Sequence, residues 1–344
     1  MPKSNGLNAL NGLNDSIETE LLPWQSEQWQ QLVAAVKAKR LPHAMLFSGP
    51  EGVGKKQFAT SLSRFLLCHE PIQDQVNSKA CGKCNACQLF AAGTHPDFYL
   101  IRSEEEGKAI KVEQIRELTD KNNLTSHISE FKVHLIIDGD RMNRAAANSL
   151  LKTLEEPSSN TLILLITSKP ELLSATIRSR CQQLRFEAPP TDIALNWLNT
   201  RALQTDPGLL LSISGNAPLK AEQIDRDELV ELRDRVFADF GKVVLGKTDP
   251  SRVAETWQKN NLELIIYWMT VWVIDIIRLK YNQSDPKLDS MDKIKGLQKL
   301  AEILSIGQLF GIYQQQLKTR QLLNKQLNTV LLLENLLVTC TAKK

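Results

Sequence analysis

The sequence predicts an α/β domain built on a parallel sheet and a phosphate-loop turn, followed by helices alone. Three observations carry that reading. Short apolar runs flanked by breakers stand at Ala44–Ser48, Phe98–Ile101, 133–138 and 162–167, the signature of strands buried on both faces. Helical patterns lie between them at Val112–Asn122 and Arg144–Glu155, the alternation of a doubly wound fold with right-handed crossovers. After Phe186 the strand signals end.

Along the chain, residues 1–16 hold no apolar core of signal-peptide length, and the Asn-Gly-Leu near-repeat at 5–7 and 11–13 is of low complexity. Residues 1–23 therefore read as a disordered extension. Residues 24–40 place apolar side chains at helical spacing until Pro42 stops the helix. A strand at Ala44–Ser48 leads through a Gly-rich turn into an apolar-patterned helix ending near Leu67, and Pro157 ends the later helix at Arg144–Glu155. Pro189-Pro190 reads as a hinge, 191–235 as a few short helices, and the remainder as Leu-rich helices at 262–280, 296–313 and 317–338. The apolar excess after about residue 236, including Trp268, Trp272 and the Leu-rich 322–337 segment, exceeds what one thin helical layer can bury and predicts that these helices carry assembly with a partner. The most apolar stretch, 264–274, is about half the length needed to span a bilayer and is closed by Glu263 and Asp275. It reads as a buried helix of a cytosolic protein with no membrane partner. The formal net charge of +3 over 344 residues neither demands nor excludes contact with nucleic acid.

Residues 49–56, Gly-Pro-Glu-Gly-Val-Gly-Lys-Lys, fit seven of the eight positions of the P-loop pattern, between a strand and a helix as the motif requires. Glycines let backbone N–H groups line an anion, and Lys55 would reach the terminal phosphates. The eighth position should carry the hydroxyl that holds Mg²⁺, yet it is Lys56. The strand that should end in Asp-Glu ends in Asp138-Gly139, so no carboxylate follows to activate water. Two losses at different steps predict a vestigial site, with ATP and Mg²⁺ not held productively and Lys55 retained as a structural lysine.

Four of the six cysteines cluster as Cys68-x12-Cys81-x2-Cys84-x2-Cys87. Two Cys-x-x-Cys steps and one distal cysteine can bring four thiolates around zinc in a closed, structural shell. His69 and His95, nearby in sequence, read as surface or packing residues, and Cys181 and Cys340 as small packing residues.

Several motifs together resemble the bacterial clamp-loader family of AAA+ proteins. They are the P-loop at 49–56, the four-cysteine insertion after its helix, and Ala-Gly-Thr-His-Pro-Asp at 92–97. To these add Asn-Ser-Leu-Leu-Lys-Thr-Leu-Glu-Glu-Pro at 148–157 and Ser179-Arg180-Cys181. The resemblance is dense over about 41–187. It implies an AAA+ P-loop-type parallel-sheet core with a zinc module at 24–187, a small helical lid at 188–235 and an all-helical collar at 236–344. Motor subunits of the family are similar to proteins with an intact P-loop hydroxyl, an Asp-Glu pair and a lid arginine. Here those positions hold Lys56, Gly139 and Pro218 (if Gly215 is the lid glycine), while Ser-Arg-Cys survives. The resemblance thus implies a stationary, non-hydrolysing subunit of the loader of the replicative DNA polymerase. Arg180 would act in trans on a neighbour's ATP, and the implied partners are motor and delta subunits, the sliding clamp and primer–template DNA. Arg141, Arg144 and Lys152 lie on or beside the helix that faces DNA in similar proteins. Two rival readings stand: an active motor ATPase of the same family, and a zinc-bearing DNA-binding module.

Overall fold

The computed structural model describes residues 21–74, 78–105, 108–122, 126–158, 160–281, 287–323 and 327–341. The expected disordered extension lies, but for its last three residues, outside them. The chain divides into two compact units, one ending at Ile193 and the other beginning at Ala194.

The first unit is organised around β1 (Ala44–Ser48), every residue of which is buried. With β2 (Phe98–Ile101), β3 (Lys132–Ile136), β4 (Thr161–Thr167) and β5 (Gln182–Arg185) it forms a parallel sheet of order β2-β3-β4-β1-β5. The helices of this unit are α1 (Ser26–Lys37), α2 (Lys55–Leu67), α3 (Asn85–Ala91), α4 (Val112–Asn122), α5 (Arg144–Glu155) and α6 (Ala175–Arg180). Alternation along β1 explains the two cores. Ala44 and Leu46 join Ile115 and Leu118 of α4, Leu150 and Leu154 of α5, and Ile177 of α6. Phe47 points the other way, into an aromatic group in which Phe58 meets Trp29, Phe47 and Phe186 at ring separations of 5.1–5.6 Å.

β5 escapes sequence reasoning. Gln-Gln-Leu-Arg is mostly exposed and polar, and it becomes a strand because Met45 to Ser48 offer it a pairing edge, from Met45↔Gln182 to Ser48↔Arg185.

The second unit is helical. The boundary falls within α7 (Thr191–Leu198), and α8 (Pro207–Ile213), α9 (Pro218–Arg226), α10 (Leu229–Val244), α11 (Pro250–Trp257), α12 (Leu262–Tyr281), α13 (Ile294–Ile303), α14 (Ile306–Leu322) and α15 (Thr329–Cys340) follow. α10 runs unbroken through residues 235 and 236, where the lid was expected to give way to the collar. The helix expected at 296–313 is two helices. Ser305 and Gln308 form a reciprocal capping box that starts α14 afresh after Leu304. The 317–338 segment likewise divides, because the Asn328 side chain accepts the N–H groups of Val330 and Leu331 and opens α15. α12 is buried as expected, and no helix among the described residues is long and apolar enough to cross a membrane.

One ion pair, buried on its arginine side and partly open at Asp292, ties this unit together. Arg233 of α10, almost fully buried, donates through Nη1 and Nη2 to Asp292 at 2.6 and 3.1 Å, and its guanidinium lies 5.7 Å from the Trp272 ring centre. Burial opposes ionisation of Asp292, but the Arg233 bonds outweigh it and hold the carboxyl below its ordinary value of 3.8. A depressed pKa stabilises the fold fully above the unfolded value and loses that stabilisation as pH falls through the folded one. Asp292→Ala should cost about 3–5 kcal/mol, because it strands a buried cation. Its unfolding free energy should also lose the acid-side slope that Asp292 supplies below pH 3.8. Denaturant unfolding across pH checks both, and a loss under about 1 kcal/mol would contradict the assignment.

Candidate functional site

The C-terminal ends of β1, β3 and β4 converge because the strands are parallel and in register, and the expected phosphate-loop residues, Lys55, Lys56, Asp138 and Gly139, gather there. Gly49 follows β1 with φ +147, and a Cβ at that position would run into the Phe186 carbonyl, which approaches because Phe186 N–H bonds Ser48 O at 2.8 Å. Gly54 caps α2 with φ +91 and is hemmed in by Leu22 and Gln25. The turn is braced from outside as well. Val53 O accepts hydrogen bonds from Trp24 Nε1 at 3.0 Å and Gln25 Nε2 at 3.1 Å.

Lys55 is folded back onto its own loop. Its ammonium donates to Gly49 O at 2.7 Å and Pro50 O at 2.5 Å, and burial lowers its pKa to about 8 against the pull of Glu51, Asp138 and Asp140. Lys56 is lowered too, by burial first and then by repulsion from Arg102. Asp138 lies just past the end of β3 in the left-handed region at φ 54, and burial raises its carboxyl above the usual range, with Asp140 and Glu51 adding to the effect. A Cβ at Gly139 would collide with the buried Leu165 side chain, so the missing carboxylate could not simply be put back. Asp140 was not anticipated. Its carboxylate accepts from Thr167 Oγ1 at the end of β4, and that oxygen accepts from Lys169 N–H at 2.9 Å.

The four cysteines meet. Their sulfurs all lie within 4.8 Å of one another, with Cys68 to Cys84 at 3.8 Å and Cys81 to Cys87 at 4.0 Å. Thiolates about 2.3 Å from a tetrahedral ion stand about 3.8 Å apart, so the donor set fits one metal. The Cys84 N–H points at Cys81 Sγ at 3.3 Å, as the turn of a Cys-x-x-Cys step provides, and the Cys81 N–H points at the distal Cys68 Sγ, also at 3.3 Å. Burial pushes the Cys68 thiol up to about 12. Cys84 falls to about 6, because backbone hydrogen bonds at Cys87 and His69 overcome its own burial. Neither histidine joins the cluster. His69 donates to Ile128 O at 3.0 Å.

His95 and Asp97 form a structural lock whose need the sequence did not disclose. The buried Asp97 carboxylate accepts the N–H groups of His127, Ile128 and Ser129 at 2.6–2.9 Å. His95 Nδ1 accepts from Asp97 N–H, Ser129 Oγ donates to Leu67 O, and His95 Nε2 therefore donates to Ser129 Oγ at 3.3 Å. This chain of bonds fastens the loop at 127–129 to the residue preceding Cys68.

Arg180 ends α6 at the surface. Its Nη2 lies 2.7 Å from Glu155 Oε1 and its Nη1 donates to Thr176 O at 3.2 Å. Arg144 and Lys152 are exposed on α5 and Arg141 is half-buried before it. Pro218 opens α9 just after Gly215, which has φ +75.

Set beside known proteins, residues 24–190 match the profile described as DNA polymerase III, delta subunit, and residues 227–341 match that of the same subunit's C-terminal region. The delta′ subunit of DNA polymerase III from Pseudomonas aeruginosa is 37% identical over 93% of this chain and 97% of its own length. This chain belongs to the family of DNA polymerase III delta′ subunits. The Escherichia coli delta′ subunit is 39% identical over 57% of this chain and 58% of its own length. The tau/gamma subunit of Haemophilus influenzae is 38% identical over 46% of this chain and 22% of its own length. Among solved structures, a gamma-subunit-related protein of Thermotoga maritima overlays with a TM-score of 0.47 at 19% identity, covering 92% of this chain and 98% of that one.

Proposed function

We propose that this family member is the stationary, non-hydrolysing subunit of a sliding-clamp loader, and that it lends Arg180 to the ATP site of a neighbouring motor subunit. One contrast supports the reading: the chain's own phosphate loop is chemically disarmed, while its Ser-Arg-Cys arginine stands at the surface. Lys56 and Arg102 put positive charge where a divalent ion would be needed, Lys55 is engaged by loop carbonyls, and Leu165 fills the space beside Gly139. Such a loop can still shape the fold without turning over nucleotide.

In this reading the second unit carries the collar that joins the motor and delta subunits, with the clamp and primer–template DNA met through the assembly. Trp268 and Trp272, expected among the residues that seek a partner, are instead fully buried in the unit's own core. Trp268 Nε1 bonds Ile213 O at 3.1 Å, and Trp272 packs on Phe237 and Phe240. The exposed apolar residues of this unit include Leu245, Tyr281, Met291, Ile303 and Leu327, and two spaced pairs: Phe310 and Leu317, seven apart on α14, and Leu331 and Val338, seven apart on α15. Each pair lies on one face of its helix, as a surface awaiting another subunit would require.

We assign structural zinc to Cys68, Cys81, Cys84 and Cys87, since four sulfurs leave no position open for substrate. Elemental analysis of the purified chain should find one zinc per chain, and Cys84→Ser should lower both zinc content and thermal stability. Less than about a third of an equivalent in the wild-type chain would contradict a four-thiolate site.

The arginine is tested in the assembled loader. A guanidinium is always charged and can hold phosphate oxygens bidentately, and an arginine supplied in trans can be worth about 10³–10⁵ in rate. Arg180→Ala should leave folding, zinc and assembly intact while depressing ATP turnover at one motor site and slowing clamp loading. Arg178→Ala should do much less. An Arg180→Ala complex that assembles and loads clamps at the wild-type rate would overturn the assignment.

A further inference from the structure

Two segments twenty-five positions apart at their nearest chemistry-bearing residues, Glu155 at the end of α5 and Arg180 at the end of α6, meet in a single contact. The contact is directional. Arg180 Nη2 lies 2.7 Å from Glu155 Oε1, and Nη1 donates to the Thr176 carbonyl one turn back in its own helix at 3.2 Å. A guanidinium carries five N–H donors in a fixed plane, so these two bonds orient the plane and leave three donors for another acceptor. Both partners remain open to solvent, with 34% of the Arg180 side chain and 50% of the Glu155 side chain exposed.

The carboxylate's own position is fixed by the core. α5 is started by Asn143, whose side chain accepts Ala146 N–H at 2.7 Å, and Leu150 and Leu154 anchor it against β1, β3 and β4. Glu155 therefore inherits its place from the sheet, whereas Arg180 sits at the last position of a six-residue helix and has a long, flexible side chain. A charge that must meet a phosphate on another subunit gains most when its orientation is set before the encounter.

We infer that Glu155 is the positioning residue for Arg180. It holds the guanidinium plane ready at the subunit surface while leaving donors available for phosphate. The inference rests on the trans role given to Arg180 above. A carboxylate beside a guanidinium also offsets part of its charge, but at this exposure solvent and salt screen that effect, and orientation is the larger contribution.

The two contributions separate by substitution, because Glu155→Gln keeps an oxygen acceptor and discards the charge, whereas Glu155→Ala removes both. The test is steady-state ATP turnover by the assembled loader, with kcat and KM for ATP resolved. Glu155→Ala should lower kcat about five-fold with KM unchanged, in line with what modest misplacement of a catalytic group costs. Glu155→Gln should restore most of that loss, and Glu156→Ala, the adjacent carboxylate, should behave as wild type. In an Arg180→Ala background, Glu155→Ala should add nothing, as expected of residues that act as one unit. If Arg180→Ala slows turnover while Glu155→Ala matches or exceeds the wild type, the positioning role is overturned and the trans arginine stands. A Glu155→Ala loss of equal size in the Arg180→Ala background would also overturn it, because Glu155 would then act through the fold. If Arg180→Ala itself changes nothing, the trans arginine is overturned and the positioning role falls with it.

Discussion

β1 is the constraint on which the first unit depends. Its five residues are buried on both faces and paired on both edges, to β4 on one side and β5 on the other. Parallel pairing in that register brings Ser48, Thr167 and Arg185 to one end of the sheet, and the chain must turn sharply there to start α2. The turn is tight because the Phe186 carbonyl crowds Gly49 and because Leu22 and Gln25 close over Gly54. A glycine-rich loop is thus required by packing, whether or not nucleotide is bound. This gives the glycine-rich loop a physical reason that is independent of nucleotide chemistry, with the Lys55 ammonium bridging the carbonyls of Gly49 and Pro50.

The same sheet fixes the outward-facing chemistry. Thr167, at the end of β4, receives the Asp140 carboxylate as acceptor of its hydroxyl proton, and β5 follows directly from α6 and Arg180. The cysteine cluster sits on the opposite approach, after α2, where the His95–Asp97 lock holds the loop at 127–129 against Leu67. Local order around the cluster therefore has two sources, the hydrogen-bonded lock and any metal the four sulfurs hold.

Much of this was legible in the sequence, for definite reasons. Short apolar runs between breakers marked β1 and β2 to the residue, and two Cys-x-x-Cys steps forecast the meeting of four sulfurs. β5 was not legible, because its polar residues take strand form only from the edge offered by β1. Trp268 and Trp272 were misjudged, since composition cannot tell a helix that faces inward from one that seeks a partner, and here α10 covers Trp272 with Phe237 and Phe240. The Asp97 bonds and the Glu155–Arg180 contact join residues about thirty and twenty-five positions apart. No local pattern encodes such pairings; only the crossing of the chain through the sheet makes them neighbours.

The central claim is that this chain's own phosphate loop is structural. It is tested most directly by titrating the isolated, zinc-replete chain with Mg²⁺-ATP, following heat and phosphate release together, for the wild type and for Lys56→Thr. The account predicts no turnover by either, because the hydroxyl alone restores neither the water-activating carboxylate at Gly139 nor a free Lys55 ammonium. Robust hydrolysis by the wild-type chain, above all if stimulated by DNA, would contradict it.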